Sequence, residues 1–366
     1  MKNKHLLAEF NPINKKEWIA AIEKHLKGQP AHSLDWQLEE GVTVSPLVRQ
    51  KDVQTHLLGT IDTSTANEWY ITEKIHVGDD YELANKQALK ALQKGVQALY
   101  FELEVLPTTA DFSVLWKDIL LELVPIHLEG KGIALQPNQV LEELLQLPNI
   151  NKWRGSWNIN SSAHNLLHNQ LLNYIDKGNQ FASFQPITIT IEENTTDSLA
   201  DALYKTSIWI DFLRQNNVPM VQIIDLFRFE FYTSEHYFVE IAKFRAFKRL
   251  WLAMLEAYNV KKPDYPYIHA NTTLSMQQQS PYWNMITATT QAMSAVMGGV
   301  HSLMVCPSTG WEEADDFSRR IGRNLQHLLT TESYLGRVID PASGSYYIEN
   351  LTEQLTVQSW QKFCEL

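Results

Sequence analysis

The sequence predicts an α/β protein built as a (β/α)8 TIM barrel with an N-terminal helical and extended arm. From about Asn67 onward, eight short segments of strand-forming composition alternate with segments of helical period. Their starts lie roughly 25 to 45 residues apart, which leaves enough chain for a crossover helix between parallel strands. Eight is also the number of parallel strands that closes a barrel.

A doubly wound open sheet is the competing interpretation of this alternation. Such a sheet normally carries a glycine-rich phosphate turn after an early strand, and "ALYFELEVLPTTAD" has none. The barrel is therefore favoured. The candidate strands, in chain order, are EWYITEKI, ALYFEL, VPIHLE, GSWNIN, PITITI, VQIIDLF, YPYIHA and HSLMVC.

Residues 1–65 form the predicted arm, residues 66–340 the barrel, and residues 341–366 the barrel exit with the start of a C-terminal helix or linker. In the arm, "KKEWIAAIEKHLKG" places Trp18, Ile19, Ile22 and Leu26 at helical spacing, with Gly28 as a stop. The arm is too small to form its own core, so it is expected to pack against its own barrel or against a partner.

The exit, "RVIDPASGSYYIENL", predicts a turn between two helices. Asp340 precedes a proline and is pushed out of the helical region, while Gly344 gives the chain freedom to reverse direction. Asn350 or Thr352 is expected to cap the last helix.

The charge balance excludes one class of function. A formal net charge of -11 is incompatible with the broad basic surface that non-specific nucleic-acid binding requires. The basic clusters in "KFRAFKR" (243–249) and "DFSRRIGRNLQHLL" (316–329) are each interpreted as solvated helix faces, and in the second Phe317, Ile321, Leu325 and Leu328 form the predicted buried stripe.

Cysteine usage and hydropathy favour a reducing compartment without a membrane. Cys306 and Cys364 have no metal-type spacing and are too few for a disulfide framework. No apolar run has the length of a signal peptide or a bilayer span, so we expect a cytoplasmic protein.

Two strands predict polar groups inside the barrel. Thr188 and Thr190 share one face of "PITITI", and Asn158 and Asn160 share one face of "GSWNIN". Ordinary barrels fill their centre with Val, Ile and Leu. A polar interior predicts either a hydrogen-bonded plug or a passage for a long polar ligand.

Candidate catalytic groups are few. Glu192 and Glu193 follow the fifth strand, but neighbouring residues on a strand point to opposite faces, which favours a solvated loop. His164 and His168 share a helix face without a third metal ligand. His269, at the end of the seventh strand, is either a general base or, as we favour, a core histidine. GxSxG, P-loop and GxGxxG motifs are absent.

Three long segments resemble the barrel domain of methylmalonyl-CoA mutase: "HYFVEIAKFRAFKRLW", "GGVHSLMV" and "DDFSRRIGRNLQHLLTTESYLGRVIDPASGSYYIENLT". The arm, with "EWIAAIEKHLKG" and "LDWQLEEGVTVSPL", is similar to that of the family. The resemblance implies a barrel whose axis admits the pantetheine arm of coenzyme A. It also implies a separate cobalamin domain with an Asp-x-His-x-x-Gly motif, which this sequence lacks.

The departures from the family pattern concern its catalytic positions. Catalytic chains carry a Tyr-His pair where this sequence has Thr190 and Ile191, and a glutamine where the nearest alignment places Ala270. The substrate segment before their first strand has no convincing match in "NEWYITEKI". The resemblance therefore implies the small, non-catalytic subunit of a two-chain mutase, which embraces its partner through the arm.

We accordingly expect no catalytic, cofactor-binding or metal-binding residue in this chain, and its substrate-binding residues are unknown. The expected partner is the large catalytic subunit, which would carry adenosylcobalamin and interconvert methylmalonyl-CoA and succinyl-CoA in propionate metabolism. Acyl-CoA binding by this chain is doubtful. The alternative hypothesis is a divergent acyl-CoA-binding barrel with its own isomerase or lyase activity.

Overall fold

A closed parallel barrel surrounded by helices forms the body of the molecule. The computed structural model describes residues 13–49, 52–53, 67–130, 136–158, 171–173, 175–177, 180–193, 195–261, 263–274 and 280–366. Nine parallel strands form one sheet in the order β7, β6, β5, β4, β3, β11, β10, β9, β8. The predicted (β/α)8 TIM barrel is thereby confirmed.

The strands are numbered in chain order. They are β1 Trp36–Glu39, β2 Val42–Val44, β3 Tyr70–Val77, β4 Ala98–Leu103, β5 Ile126–Glu129, β6 Arg154–Asn158, β7 Ser183–Gln185, β8 Ile187–Ile191, β9 Phe227–Thr233, β10 Ile268–Thr272 and β11 Ser302–Met304. The α-helices of the described ranges are α1 Lys15–His25, α2 Tyr81–Gln93, α3 Thr109–Leu115, α4 Pro137–Leu145, α5 Thr195–Gln215, α6 Met220–Asp225, α7 Tyr237–Ala257, α8 Pro281–Met297, α9 Asp316–Thr331 and α10 Tyr346–Glu365. None of these helices has the length and apolarity that a bilayer crossing needs.

The short strands β7 and β8 together form the fifth wall of the barrel. Pro186 separates them, and a proline has no N–H to donate to a neighbouring strand. β7 pairs with β6 and β8 pairs with β9, so the ring closes through this interrupted strand. The indole N–H of Trp157 donates to the Pro186 carbonyl at 3.2 Å, which bridges the seam.

The sixth barrel strand lies later in the chain than predicted. Residues of "VQIIDLF" form α6 as far as Asp225, and β9 begins only at Phe227. The reason is the alternation of Phe227, Phe229 and Phe231, whose rings pack outward against aromatic side chains of α7. This apolar face determines where β9 lies in the chain. The shorter apolar segment before it, which ends at Asp225, forms the helix α6 instead.

Part of the arm packs against the chain's own barrel. Val42 and Val44 of the β1–β2 hairpin are buried in the main core. The Glu39 carboxylate accepts hydrogen bonds from the Thr196 N–H and hydroxyl, at 3.2 and 2.8 Å, near the start of α5. By contrast, α1 begins with a capping box of Asn14 and Glu17 and has no buried residue.

The basic cluster of α7 is buried, so the predicted solvated face is wrong. Lys243 lies 2.9 Å from Glu240, and both side chains are fully buried. Lys248 donates to the carbonyls of Gly298 and Gly299 at 2.8 and 2.7 Å. Lys243 also donates to the Tyr232 carbonyl of β9 at 3.3 Å. Each of these cations thus has a carbonyl partner outside α7, which composition alone does not reveal.

The exposed face of α9 also differs from the prediction. Phe317 and Leu328 are exposed, whereas Arg323 is buried with its guanidinium 2.6 Å from Glu73. Arg319 donates to the Lys74 carbonyl at 2.8 Å. The outward carboxylate of Glu73 on β3 thus brings both arginines towards the barrel wall.

The exit turn docks the last helix onto α7. Asp340 has a positive φ of 45° and contacts Arg245, with 2.9 Å between its carboxylate and Nε. Arg245 also contacts Glu349 at 2.6 Å and Thr352 at 3.0 Å. The predicted caps are wrong, because α10 begins at Tyr346 and Thr352 is a buried residue inside it.

Candidate functional site

The inner face of the barrel is polar on nearly every strand. Because side chains alternate along a strand, one face of each strand points to the axis while the other packs against the outer helices. The inward side chains of the main layers are Thr72, Lys74, Tyr100, Glu102, His127, Glu129, Ser156, Asn158, Thr188, Thr190, Arg228, Glu230, His269, Asn271 and Ser302. Polar side chains are present inside the barrel at Asn158, Thr188 and Thr190, as predicted, whereas Asn160 lies outside the described residues.

Tyr100 and Arg228 meet across the barrel axis. Tyr100 lies on β4 and Arg228 on β9, the second and sixth walls of the ring, which face each other. The guanidinium carbon lies 5.4 Å from the centroid of the Tyr100 ring, in a cation–π arrangement. Both side chains are fully buried.

His127 and His269 form a second pair across the axis. They lie on β5 and β10, the third and seventh walls, with 6.3 Å between ring centroids. Tyr100 lies against both rings, at 6.1 Å from His127 and 6.0 Å from His269. Burial holds the pKa of each histidine well below its ordinary value, and Arg228 adds to this effect.

Glu230 is the common acceptor of the interior network. Its carboxylate accepts from Asn271 Nδ2 at 2.7 Å and from Asn158 Nδ2 at 3.1 Å, and it lies 3.6 Å from Arg228 Nη1. His269 connects to this network, since its Nε2 lies 2.9 Å from Asn271 Oδ1 while its Nδ1 lies 2.7 Å from Ser302 Oγ. Asn271 donates to Glu230, so its amide oxygen accepts and the His269 proton is on Nε2.

The two cross-axis pairs and Glu230 form a buried polar plug, in which the Tyr100 hydroxyl donates to Glu230 at 3.4 Å. The name "plug" is used below for Tyr100, His127, Arg228, Glu230 and His269, each no more than 2% exposed. The three guanidinium nitrogens of Arg228 have no hydrogen-bond partner among the described residues. Burial acts against the charge of Arg228, but Glu230 and neighbouring tyrosines raise its pKa.

Open space lies near both ends of the barrel strands. A cleft of about 1110 Å³ lies at the C-terminal ends of β3 to β6, and a cavity of about 380 Å³ lies beside the N-terminal ends of β9 and β10. The first is lined by Lys74, His76, Glu102, Glu129 and Trp311, among others. The second is lined by Phe184, Trp251, Asp264, Tyr267 and His301, among others.

Lys74 is the central group of the C-terminal cleft. Its ammonium lies 3.3 Å from both Glu102 and Glu129. Burial alone would lower the pKa of Lys74, but the two carboxylates raise it. Burial raises the pKa of Glu129, and Lys74 opposes this only in part. The cleft therefore holds a compensated Lys–Glu cluster.

The candidate catalytic residues named from the sequence do not form a common site in the described structure. His269 is buried with both ring nitrogens engaged, as in a core histidine, so it cannot accept a proton from a ligand in this geometry. Glu192 and Glu193 are exposed, and Glu193 accepts from Thr273 Oγ1 at 2.9 Å. His164 and His168 lie outside the described residues. Within the described ranges, no three His, Cys, Asp or Glu side chains are grouped to hold a metal.

The comparisons with known proteins agree with this architecture. A model of the family "Methylmalonyl-CoA mutase" matches residues 190–366. A methylmalonyl-CoA mutase small subunit from Porphyromonas gingivalis is 30% identical and aligns with 98% of this chain and 63% of its own length. The chain belongs to the methylmalonyl-CoA mutase family.

Two further small subunits of methylmalonyl-CoA mutase show the same coverage. Those from Streptomyces virginiae and Propionibacterium freudenreichii subsp. shermanii are 25% and 26% identical over 99% of this chain. The chain spans 64% and 63% of their lengths. The similarity to mutase small subunits thus includes both the arm and the barrel.

Three positions were singled out from the sequence as expected departures from the catalytic pattern of the family: Thr190, Ile191 and Ala270. Ile191 and Ala270 are fully buried in the main hydrophobic core, between the sheet and its helices. Neither can present a polar group to the barrel interior. Thr190 lies on the inner face of β8 and is partly buried.

A hydrogen-bonded plug was one of two predictions for the polar interior, but of its members only His269 was singled out from the sequence. Arg228 and Glu230 lie in β9, which begins later in the chain than the predicted sixth strand. Tyr100 belongs to the predicted strand ALYFEL, whose composition is largely apolar. A correct assignment of Phe227, Phe229 and Phe231 to the outer face would have placed Arg228 and Glu230 inside the barrel. That alternation is the signal that could have found them.

Proposed function

We propose that this chain is the non-catalytic small subunit of a heterodimeric methylmalonyl-CoA mutase. The observation that carries the proposal is the plug. Side chains from opposite walls contact each other at the axis in two pairs, Tyr100 with Arg228 and His127 with His269. A pantetheine chain would need a continuous passage along this axis, and the four side chains that occupy it are each no more than 2% exposed.

The network makes the plug a fixed part of the barrel core. Opening a passage would require the removal of Tyr100 and Arg228 from a region without solvent access. It would break the hydrogen bond from the Tyr100 hydroxyl to Glu230, at 3.4 Å, and separate Arg228 from that carboxylate. Breaking a buried polar network costs several kcal/mol because the remaining groups stay unpaired. This cost is consistent with an assembly role and unfavourable for substrate binding.

The cofactor belongs, in this proposal, to the large subunit. The sequence contains no Asp-x-His-x-x-Gly segment, and the described residues contain no metal-binding cluster. The large subunit would carry adenosylcobalamin and perform the interconversion of methylmalonyl-CoA and succinyl-CoA, in the cytoplasm and within propionate metabolism.

Co-purification with the large subunit tests the assignment. We expect a stable complex with adenosylcobalamin-dependent mutase activity, and no mutase activity from this chain alone. A double variant with Thr190→Tyr and Ile191→His should gain no activity, because the plug still blocks the axis. A large subunit that is fully active and stable alone, and never binds this chain, would refute the proposal.

The C-terminal cleft supports one alternative, a divergent acyl-CoA-binding barrel with isomerase or lyase activity. Its volume and the Glu129–Lys74 pair are features of a ligand site at the catalytic face of a barrel. Thermal unfolding with millimolar coenzyme A esters separates the two hypotheses. A clear rise in Tm that Glu129→Gln abolishes would favour the enzyme, whereas an unchanged Tm favours the subunit.

A further inference from the structure

A pocket of about 320 Å³ lies between the two turns that lead into β5 and β6. Residues of the segments 112–122 and 147–152 line it, so it lies near the N-terminal ends of these strands. It shares no lining residue with the C-terminal cleft around Lys74. This space is called the loop pocket below. Its residues take no part in the plug or in the function proposed above.

The lining of the loop pocket is mostly apolar. Its buried side chains include Phe112, Trp116, Ile119, Leu121 and Leu147. The ring of Trp116 packs between Phe112, at 5.5 Å between centroids, and Trp153, at 5.7 Å. Leu120, which is 57% exposed, brings the apolar lining out to the solvent. A concave apolar surface with a few polar groups is typical of a small-molecule site.

The two turns that form the loop pocket are held in place. Asn85 Nδ2 of α2 donates to the carbonyls of Leu115 and Lys117, at 2.8 and 2.9 Å, which fixes the turn after α3. Lys152 lies 3.4 Å from Glu122 and connects the second turn to the first. The pocket is therefore formed before any ligand arrives. A pre-formed site loses less conformational entropy on binding.

Trp116 contributes a hydrogen-bond donor that is not used within the described structure. Its side chain is buried, and its indole Nε1 has no hydrogen-bond partner among the described residues. By contrast, the indoles of Trp153, Trp157 and Trp251 each donate to a backbone carbonyl. Buried indole N–H groups normally find an acceptor. The exception at Trp116 indicates a ligand with an acceptor oxygen.

The charges around the loop pocket favour an anionic ligand. Lys117, Lys152 and Glu122 are its charged lining residues. Glu122 pairs with Lys152, whereas Lys117 is exposed and forms no ion pair within the described ranges. One positive charge thus remains at the pocket, although the chain as a whole carries -11. A carboxylate oxygen can accept hydrogen bonds and complement this charge.

The volume of the loop pocket limits the size of its ligand. At about 30 Å³ for each water-sized group, it holds about ten non-hydrogen atoms. One turn of an α-helix, about 10 Å across and 5.4 Å long, needs a larger space. A helix of a partner protein is therefore excluded, and a small molecule fits.

We propose that the loop pocket binds a small carboxylic acid with an apolar body of about eight carbons. The apolar body would lie against Phe112 and Leu147, and the carboxylate would accept from Trp116 Nε1 and pair with Lys117. The inference goes beyond the proposed function and does not depend on it, because the pocket lies outside the barrel interior.

Octanoate, which has ten non-hydrogen atoms, is the probe, and 1-octanol is its uncharged analogue. Calorimetry with the full chain should give a Kd for octanoate of about 1 mM or tighter. Trp116→Phe removes the donor and should weaken octanoate binding at least about fivefold. Lys117→Met should weaken octanoate binding about threefold to tenfold and leave octanol binding unchanged. Lys24→Met, at an exposed position of α1 outside the pocket, is the control and should change neither.

Thermal unfolding verifies that each variant is folded, and Lys117→Met tests the site even if Trp116→Phe does not fold. No binding of octanoate at about 10 mM would overturn the proposal. Equal binding by the unsubstituted chain and both pocket variants would place octanoate elsewhere and also overturn it. Octanol binding as tight as that of octanoate would refute the carboxylate preference. Loss of octanoate binding in the presence of the purified large subunit would assign the pocket to a protein interface instead.

The outcome for the mutase complex is separate from this test. Octanoate binding uses this chain alone, so it can succeed although the large subunit never binds. Conversely, a stable and active heterodimer does not require the loop pocket to hold a ligand. Failure of one proposal therefore leaves the other intact.

Discussion

The guanidinium of Arg228 lies over the ring of Tyr100, 5.4 Å from its centroid, although the two residues come from opposite walls of the barrel. Arg228 forms no hydrogen bond with the described residues, and its nearest anionic group is Glu230 at 3.6 Å. A buried cation in this position depends on that single carboxylate and on the aromatic face. Removing only one of the two opposite charges, Arg228 or Glu230, should therefore destabilise the protein more than removing both.

Glu230→Gln is expected to destabilise the fold by about 3–5 kcal/mol, because it leaves Arg228 as a buried charge without a counter-ion. The double variant with Arg228→Met and Glu230→Gln should recover most of this loss, since it removes both charges at similar volume. Urea unfolding of both variants measures the coupling. Equal losses for the single and the double variant would mean that the pair is not coupled.

Stability should fall as the pH decreases below about 6.5. Burial lowers the pKa of His301 to about 4 from its ordinary 6.5, and the pKa values of His127 and His269 are lowered as well. As the pH falls, these histidines bind protons in the unfolded chain at a higher pH than in the folded chain. The free energy of unfolding is therefore highest above pH 6.5 and decreases as the pH falls towards 4. His301 alone accounts for up to about 3 kcal/mol of this change.

His301→Asn is the matched variant for this pH dependence. His301 Nδ1 accepts from the Ile268 N–H at 3.1 Å, and an asparagine oxygen can accept in its place without titrating. The decrease in unfolding free energy between pH 7.5 and pH 5 should be smaller in this variant. An unchanged slope would show that His301 is solvated and not held neutral by burial.

Arg245→Met should release α10 from α7. The substitution removes the cation that contacts Asp340, Glu349 and Thr352, and it leaves two carboxylates close together. We expect a loss of about 3–5 kcal/mol and faster proteolysis after residue 337. Arg320→Met, at an exposed position of α9, is the control and should change stability by less than about 0.5 kcal/mol.

Glu39→Ala should detach the β1–β2 hairpin from the start of α5. The carboxylate accepts two hydrogen bonds from Thr196, and its loss leaves an unpaired N–H at the helix terminus. A cost of about 1–2 kcal/mol follows, with faster amide exchange in residues 36–44. Glu40→Ala, next to it and exposed, should have neither effect. Equal exchange rates in the two variants would contradict this role of Glu39.

The sequence by itself determined the number of barrel strands, their parallel arrangement and the polar alternation of "PITITI". These properties are local, because strand composition, period and connection length are fixed by neighbouring residues. The sequence also showed the resemblance to the mutase family, in long segments that correspond to α7, α9 and the exit turn. The position of the sixth strand was the exception, since α6 and β9 lie side by side in one apolar stretch.

The tertiary structure alone decided which polar side chains meet. Tyr100 and Arg228 are 128 positions apart in sequence, and only closure of the ring brings their walls together. The burial of Arg245 on α7 has the same cause, because its partners Asp340 and Glu349 come from the distant exit turn and α10. Charge pairing and lumen filling depend on contacts between remote segments, and a local pattern contains no information about those contacts.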